Sequence, residues 1–366
     1  MLRGTAVNPW DLRPFADLGA GYDVSVLTPP NNLYDTGSLG IRRVPVRTVG
    51  GRLPRGRAGA LATRAVGERY LGLADALRGA DVVHAAELGS WFSAQAARQR
   101  AALGFELVLT VWETLPFAGA YRNLRTRPYR AATLAAADRF LATTERAREA
   151  LLLEGAPAER IEVAPPGIDV ERFAAARTPQ PPPGGERLVL SIGRLVWEKG
   201  HQDLLRAVAL LRRGGRDDVR VLLVGIGPEE RRLRGVVRDF GLEDVVELRG
   251  WVPYEDLPLV YARASCLVLA SLPTPFWEEQ FGMVLAEAMA AHTPIVASDS
   301  GAIPEVVGAS GTLFAAGDWL ALARVLADGP LADAPAARRA PEPERLERYS
   351  AAAAAERLRR AYDALT

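Results

Sequence analysis

Two pairs of residues carry the chemistry that can be read from this sequence. Arg194 and Lys199 share the stretch SIGRLVWEKG, and Lys199 is the only lysine among 45 Lys and Arg residues. Glu279 and Glu287 share the stretch EEQFGMVLAE. An arginine offers a planar fork and a lysine a point charge on a thin stem, so the two together suit the crowded oxygens of a diphosphate. Carboxylates accept hydrogen bonds from paired hydroxyls, so the two glutamates suit diols, one on a sugar and one on a ribose. Each of these residues has a plainer alternative: Lys199 as a surface partner of Glu198, Glu279 as a charge at a helix start, Glu287 as a surface residue. Glu287 fits its alternative poorly. It lies among Leu285, Ala286, Ala288 and Met289, where an ionised group needs a partner.

The elements around these pairs place them at strand ends. The run RLVLSIG (187–193) reads as a strand that ends just before Arg194, and the helix HQDLLRAVALL follows Lys199. The run SCLVLAS (265–271) is a second strand, and a helix is predicted from Met283 to Ala291 beyond it. Gly282 at that helix start lets a ligand approach the backbone. The amides of Phe281, Gly282, Met283 and Val284 can donate to a diphosphate, and the helix dipole favours its charge. Further strands are predicted at 22–28, 80–85, 105–112, 139–143, 160–166, 219–225, 245–250 and 293–298, with helical stretches between them. Continuous apolar strands alternating with helices imply parallel sheets covered on both faces. The proline-glycine cluster RTPQPPPGGE (177–186) reads as a linker. The expected organisation is α/β, with a Rossmann-like domain over 1–178, a second over 186–342, and a terminal helix in 343–366. Ligands of such sheets sit at the carboxyl ends of the strands, and two facing lobes of this kind would make a cleft.

Composition narrows the classes. Apolar residues make up 49% and charged residues 24% of 366, an ordinary globular balance. The net charge is +1, with the excess of arginine in the first half. Arg42, Arg43, Arg47, Arg52, Arg55 and Arg57 form one cluster, and Arg122, Arg125, Arg127 and Arg130 another. Such runs read as solvated surface, with an anionic acceptor or a peripheral membrane contact as the alternative. The excess is too small for a nucleic-acid binder. Cys266 is alone, so no disulfide can form within the chain, and it reads as a small core residue. No signal-like or membrane-spanning run is present, and a cytoplasmic protein is expected.

Taken in order, GRLVWEKG, VGIGPEE, EQFGMVLAE and SDSGAIPEVV resemble the nucleotide-sugar half of the retaining glycosyltransferases of family four, which have the GT-B fold. The likeness is dense from about residue 160 to 315, and APPGIDVERF extends it, with Pro166 where asparagine is more usual. The resemblance implies that Arg194 and Lys199 bind the donor diphosphate and stabilise it as leaving group. It implies that Glu287 holds the ribose and Glu279 the transferred sugar, and that Gly225, Gly227, Val252 and the rest of the WVPYEDL loop border the base. It also implies that the terminal helix in 343–366 returns to the first domain, and transfer to a hydroxyl acceptor with retention of configuration, the acceptor being a glycan, a lipid or a small natural product.

The first half departs from the family pattern. LRGTAVNPWDL offers a very short strand and no glycine pair, with Asn8 as a helix cap and Pro9 as the first helical residue. Trp112 and Glu113 stand where many members carry a histidine. His84, Glu87, Trp112 and Glu113 are candidates for orienting the sugar or acceptor, each with the alternative of a satisfied polar group at a strand end. His201 reads as a helix-start residue and His292 as a turn residue. No metal site is expected, since the histidines are scattered and no Asp-x-Asp pair exists. Two other readings stay open: a sugar-nucleotide epimerase of the GT-B type, and a non-catalytic subunit that binds a sugar nucleotide.

Overall fold

The structure, a computed structural model, describes all residues except 5, 6, 8, 31–38, 54, 55, 119–123, 125, 333–337, 339 and 366. The chain divides into two units, Met1–Gly167 with Ser350–Thr366, and Ile168–Tyr349. In unit 1 the helix α1 (Pro9–Ala16) precedes the strands β1 (Ser25–Thr28) and β2 (Arg42–Pro45). The predicted cap Asn8 and the arginines Arg55, Arg122 and Arg125 lie outside the described residues. Next come α2 (Arg57–Val66), α3 (Leu73–Leu77), β3 (Val82–Ala86), α4 (Trp91–Leu103) and β4 (Glu106–Val111). The unit continues with α5 (Thr126–Ala136), β5 (Arg139–Ala142), α6 (Glu145–Leu153) and β6 (Ile161–Val163).

All strand pairs in unit 1 are parallel, in two sets ordered β1-β2 and β3-β4-β5-β6. The opening residues stitch the sets together. Leu2 bridges Leu27 in parallel, the Leu27 amide donates to the Met1 carbonyl at 3.0 Å, and the Leu2 amide donates to the His84 carbonyl at 2.8 Å. LRG is thus a one-bridge strand at the centre of the sheet. Leu107 and Leu109 of β4 face a core shared with Leu73, Phe92 and Phe105, while Val108 faces the other side. That alternation is the two-sided burial expected of parallel strands.

Unit 2 opens with a 3-10 helix, Glu171–Arg177. Phe173 packs edge-on against Tyr254 and Tyr261, which ties this segment to unit 2 ahead of the proline-rich stretch. Then follow β7 (Arg187–Ile192), α7 (His201–Arg213), β8 (Val219–Val224), α8 (Glu230–Asp239), β9 (Val246–Arg249), α9 (Leu257–Arg263) and β10 (Cys266–Leu269). The unit ends with α10 (Met283–Ala290), β11 (Ile295–Ser298), α11 (Ile303–Val307), β12 (Thr312–Phe314), α12 (Trp319–Asp328) and α13 (Pro343–Arg348). Its six strands are parallel and ordered β12-β11-β10-β7-β8-β9. The chain runs outward in one direction from β7 and in the other from β10. The switch point therefore lies between β7 and β10, where ligands of open α/β sheets bind.

The last helix, α14 (Ala351–Asp363), belongs to unit 1, and the Ser350 hydroxyl caps it by accepting from the Ala353 amide at 3.0 Å. Leu358, Ala361 and Tyr362 pack with Phe15, Leu18, Val108 and Leu141, so α1 and α14 together cover one face of the sheet.

Candidate functional site

In unit 2 the loops that follow β7 and β10 meet at the switch point. The Lys199 ammonium donates to Glu279 Oε2 at 2.6 Å, and the Ser271 hydroxyl donates to the same oxygen at 2.6 Å. Lys199 Nζ also lies 5.2 Å from the centroid of the Trp277 indole, a cation–π distance. The Leu272 amide donates to the Glu198 carbonyl at 2.8 Å, which holds the two loops edge to edge. The Lys199 and Glu279 side chains are both largely buried. Their ion pair leaves one glutamate oxygen with no hydrogen bond among the described residues.

Arg194 is exposed, and no hydrogen bond of its guanidinium is found among the described residues. Its main chain is held instead. His201, buried at the start of α7, donates from Nε2 to the Arg194 carbonyl at 3.2 Å, while Nδ1 lies 3.1 Å from the Ser191 hydroxyl. Burial lowers the imidazole to about pKa 4, so the ring is neutral at physiological pH. A neutral ring that donates from Nε2 accepts the serine proton at Nδ1. Further along the loop, the Arg232 guanidinium stacks 4.6 Å over Trp197. Gly227 faces this loop closely: a Cβ there would stand 2.2 Å from the Leu195 carbonyl oxygen. Gly225 occupies the same turn after β8, and Val252 lies half-buried in the turn after β9.

The N-terminus of α10 completes the site. Gly282 is its N-cap, with a φ of 78° and no side chain to cap the first turn. In that turn the Leu285 amide donates to the Gly282 carbonyl at 2.8 Å, and the amides of Met283 and Val284 have no intrahelical partner. Phe281 is buried edge-on against Tyr349, while Met283 and Val284 are half-buried. Glu287, one turn and a half further on, is 6% exposed and accepts from the Tyr261 hydroxyl at 2.8 Å. Burial raises its carboxyl from 4.5 to about 7, and the Tyr261 hydrogen bond partly opposes this. Tyr261 is the partner that the apolar surroundings of Glu287 demanded.

In unit 1, Glu87, Trp112 and Glu113 lie together at the ends of β3 and β4, while His84 is engaged elsewhere. His84 is a correction to the acceptor assignment. It is 2% exposed, Nδ1 lies 2.5 Å from the Tyr362 hydroxyl and Nε2 lies 2.7 Å from the Thr110 hydroxyl. Phe15 and Tyr362 pack edge-on against the ring. Both nitrogens are engaged inside the core, and neither is left for a substrate. Glu87 lies past the end of β3 with a φ of 64°, a left-handed conformation uncommon away from glycine. Its carboxylate accepts from the Trp112 amide at 2.9 Å, and burial raises it to about 7. Glu113 accepts from the amides of Thr114 and Leu115, both at 3.0 Å, shaping the turn after β4. Arg130 is a second correction: it is buried and ion-paired with buried Glu154 rather than solvated. Arg47, Arg52 and Arg127 are exposed as expected.

The sequence did not single out Ser271, Trp277, Tyr261 or the tie from His201 to Arg194. Ser271 was within reach of the strand-end rule, since it closes SCLVLAS. Tyr261 lies within a helix and gave no signal. Among the described residues, no three His, Cys, Asp or Glu side chains are grouped as a metal site requires. No described helix is long and apolar enough to cross a membrane.

Known proteins resemble this chain in sequence and fold. The family model described as Glycosyltransferase Family 4 matches residues 17–172, and the model for glycosyl transferases group 1 matches residues 173–337. The D-inositol 3-phosphate glycosyltransferase of Nocardia farcinica is 38% identical over 214 residues, which cover 53% of this chain and 46% of that protein. That of Streptomyces avermitilis is 37% identical over 221 residues, covering 56% of this chain and 46% of the relative. The chain thus spans about half the length of the curated relatives it matches. Anabaena HepE, solved in complex with UDP and glucose, superposes with a TM-score of 0.76 at 18% identity, covering 99% of this chain and 98% of that one. Sucrose-phosphate synthase from Thermosynechococcus elongatus gives 0.72 at 23% identity, covering 100% and 99%. With two parallel α/β units and a family model matching along most of each, the chain belongs to the family-four glycosyltransferases of the GT-B fold.

Proposed function

We propose that this chain transfers a hexosyl group from a nucleoside diphosphate sugar to a hydroxyl acceptor, with retention of configuration. The observation that carries the reading is the Lys199–Glu279 pair at the switch point of unit 2, in the same site as the uncapped N-terminus of α10. Arg194 and Lys199 grip the donor diphosphate, and the amides of Gly282, Met283 and Val284 add donors. Glu279 accepts from hydroxyls of the transferred sugar, Glu287 from the ribose. Gly227 and Val252 border the base beside exposed Ile226 and Trp251. Anabaena HepE, the structural relative, has also been solved with UDP-glucose, which supports the donor class.

As the bond from the anomeric carbon to the phosphate oxygen breaks, the charge that develops on that oxygen meets two fixed cations and a helix terminus. Such preorganised stabilisation is usually the largest catalytic contribution. The acceptor oxygen then bonds to the anomeric carbon on the same face, and its proton passes to the departing phosphate. In this proposal Arg194, Lys199 and the amides supply the charge compensation a metal gives elsewhere. Unit 1 holds the acceptor, with Glu87, Trp112 and Glu113 as its contacts, and exposed Arg43, Arg47 and Arg52 supply any peripheral contact with an anionic membrane.

The test is turnover of UDP-, GDP- and ADP-sugars with cell extract as acceptor source, read as nucleotide release and as a mass increment on the acceptor. One donor is expected to be consumed in an acceptor-dependent way, and Lys199→Ala to slow it at least tenfold. Donor epimerisation without transfer, or full transfer by the alanine variant, would refute the reading.

A further inference from the structure

Arg338 lies outside the donor-site loops, in the stretch between α12 and α13. Its guanidinium is surrounded by carbonyls rather than carboxylates. Nη1 donates to the carbonyls of Ala176 at 2.8 Å and Ala291 at 3.0 Å, and to the Thr293 hydroxyl at 3.0 Å. Nη2 donates to the carbonyls of Tyr261 at 2.8 Å, Ala262 at 2.8 Å and Ala264 at 2.9 Å. Tyr261, Ala262 and Ala264 form the end of α9, Ala291 is the C-cap of α10, and Ala176 lies in the 3-10 helix before β7. Helix ends leave carbonyls unpaired and carry negative partial charge, so one cation serves both termini.

The two helices joined in this way carry the two halves of one interaction. Tyr261 sits on α9 and its hydroxyl donates to Glu287 on α10. The Tyr261 carbonyl, at the other end of the same residue, is one of the six acceptors of Arg338. Arg177 adds a further tie to the end of α10, donating to the Ala290 carbonyl at 3.1 Å. We infer that Arg338 is a positioning residue for the Glu287 carboxylate, fixing the register of α9 against α10 through their terminal carbonyls. This rests on the proposed role of Glu287 in holding the donor ribose. Lysine could not replace it, because a single ammonium has three donors and no planar fork to span three segments.

The test uses the full chain and whichever of UDP, GDP and ADP the parent binds, titrated from pH 5.5 to 8.5. Arg338→Ala is expected to weaken binding tenfold or more. It should also move the pH midpoint of binding upward, because Glu287 loses part of the tyrosine hydrogen bond that favours its ionised form. Millimolar guanidinium chloride should restore both, and the same concentration of sodium chloride should restore neither. Arg338→Lys, which keeps the charge, serves should the alanine variant fail to fold, and it should show the same upward midpoint with a several-fold loss. If a folded Arg338 variant keeps the parent affinity and midpoint while Glu287→Gln loses affinity, this inference is overturned and the donor reading stands. If Glu287→Gln binds the nucleotide as the parent does, the donor reading falls and the inference falls with it.

Discussion

Glu287→Gln should make the protein more stable while disabling its donor site. Raising the carboxyl from 4.5 to about 7 by burial means that the folded state pays to ionise it. At about 1.4 kcal/mol per pH unit, the full cost is about 3 kcal/mol. Below pH 4.5 the group is protonated in both folded and unfolded chains, and the cost is absent. It grows as pH rises from 4.5 towards about 7 and is complete above that. Glutamine has nothing to ionise and keeps an oxygen to accept from Tyr261. The variant is therefore expected to exceed the parent by less than about 1 kcal/mol at pH 5 and by up to about 3 kcal/mol at pH 8. Urea unfolding of parent and variant at both values measures this. Glu87, also raised to about 7, contributes its own pH dependence, but it is present in both proteins and cancels in the comparison. In parallel, calorimetric titration with the donor nucleotide at pH 8 should show at least a tenfold loss in the variant. A variant that gains nothing at pH 8 relative to pH 5 would refute the claim that Glu287 is ionised at a cost inside unit 2.

Other outcomes follow from the same geometry. Donor affinity of the parent should fall as pH drops below about 7, because a protonated Glu287 loses the charge that strengthens its acceptance from ribose hydroxyls and turns one oxygen into a donor; a flat profile by calorimetry between pH 6 and 8 would contradict the ribose role. Gly227→Val should raise the donor KM and cost about 1–3 kcal/mol of stability, since its Cβ would overlap the Leu195 carbonyl; steady-state kinetics and urea unfolding check both. Tyr362→Phe strips the His84 ring of one partner and should destabilise the fold by about 1–3 kcal/mol while donor affinity stays within twofold. His201→Phe should lower kcat more than it raises donor KM, by loosening the Arg194 carbonyl, while His201→Asn, which can still donate there, should retain more of the activity.

Strands that face apolar layers on both sides were legible, because VRVLLV and CLVL leave no other assignment. β2 was not, since RRVP turns its arginines outward and reads as a charge cluster. β12 escaped for a different reason: its three residues are too few to show a period. The donor-side pairs were legible through short-range spacing within each loop. That Lys199 meets Glu279 across 80 positions was not, because only the neighbouring placement of β7 and β10 brings their loops together. His84 was misplaced because ADVVHA reads as ending at it, whereas it lies inside β3, and Arg130 because a run of arginines reads as solvated surface. Tyr362 and Glu154 supply the missing partners from segments far along the chain.

The position of α14 imposes an order on biosynthesis. Synthesis delivers residues 168–349 before 350–366, so the C-terminal sheet can consolidate while the N-terminal one still lacks its covering helix. Until Leu358 and Tyr362 arrive, Phe15, Val108 and Leu141 present a naked oily stripe on the emerging chain. A nascent polypeptide in that condition is a natural client for a holdase. The half that begins first is therefore completed last.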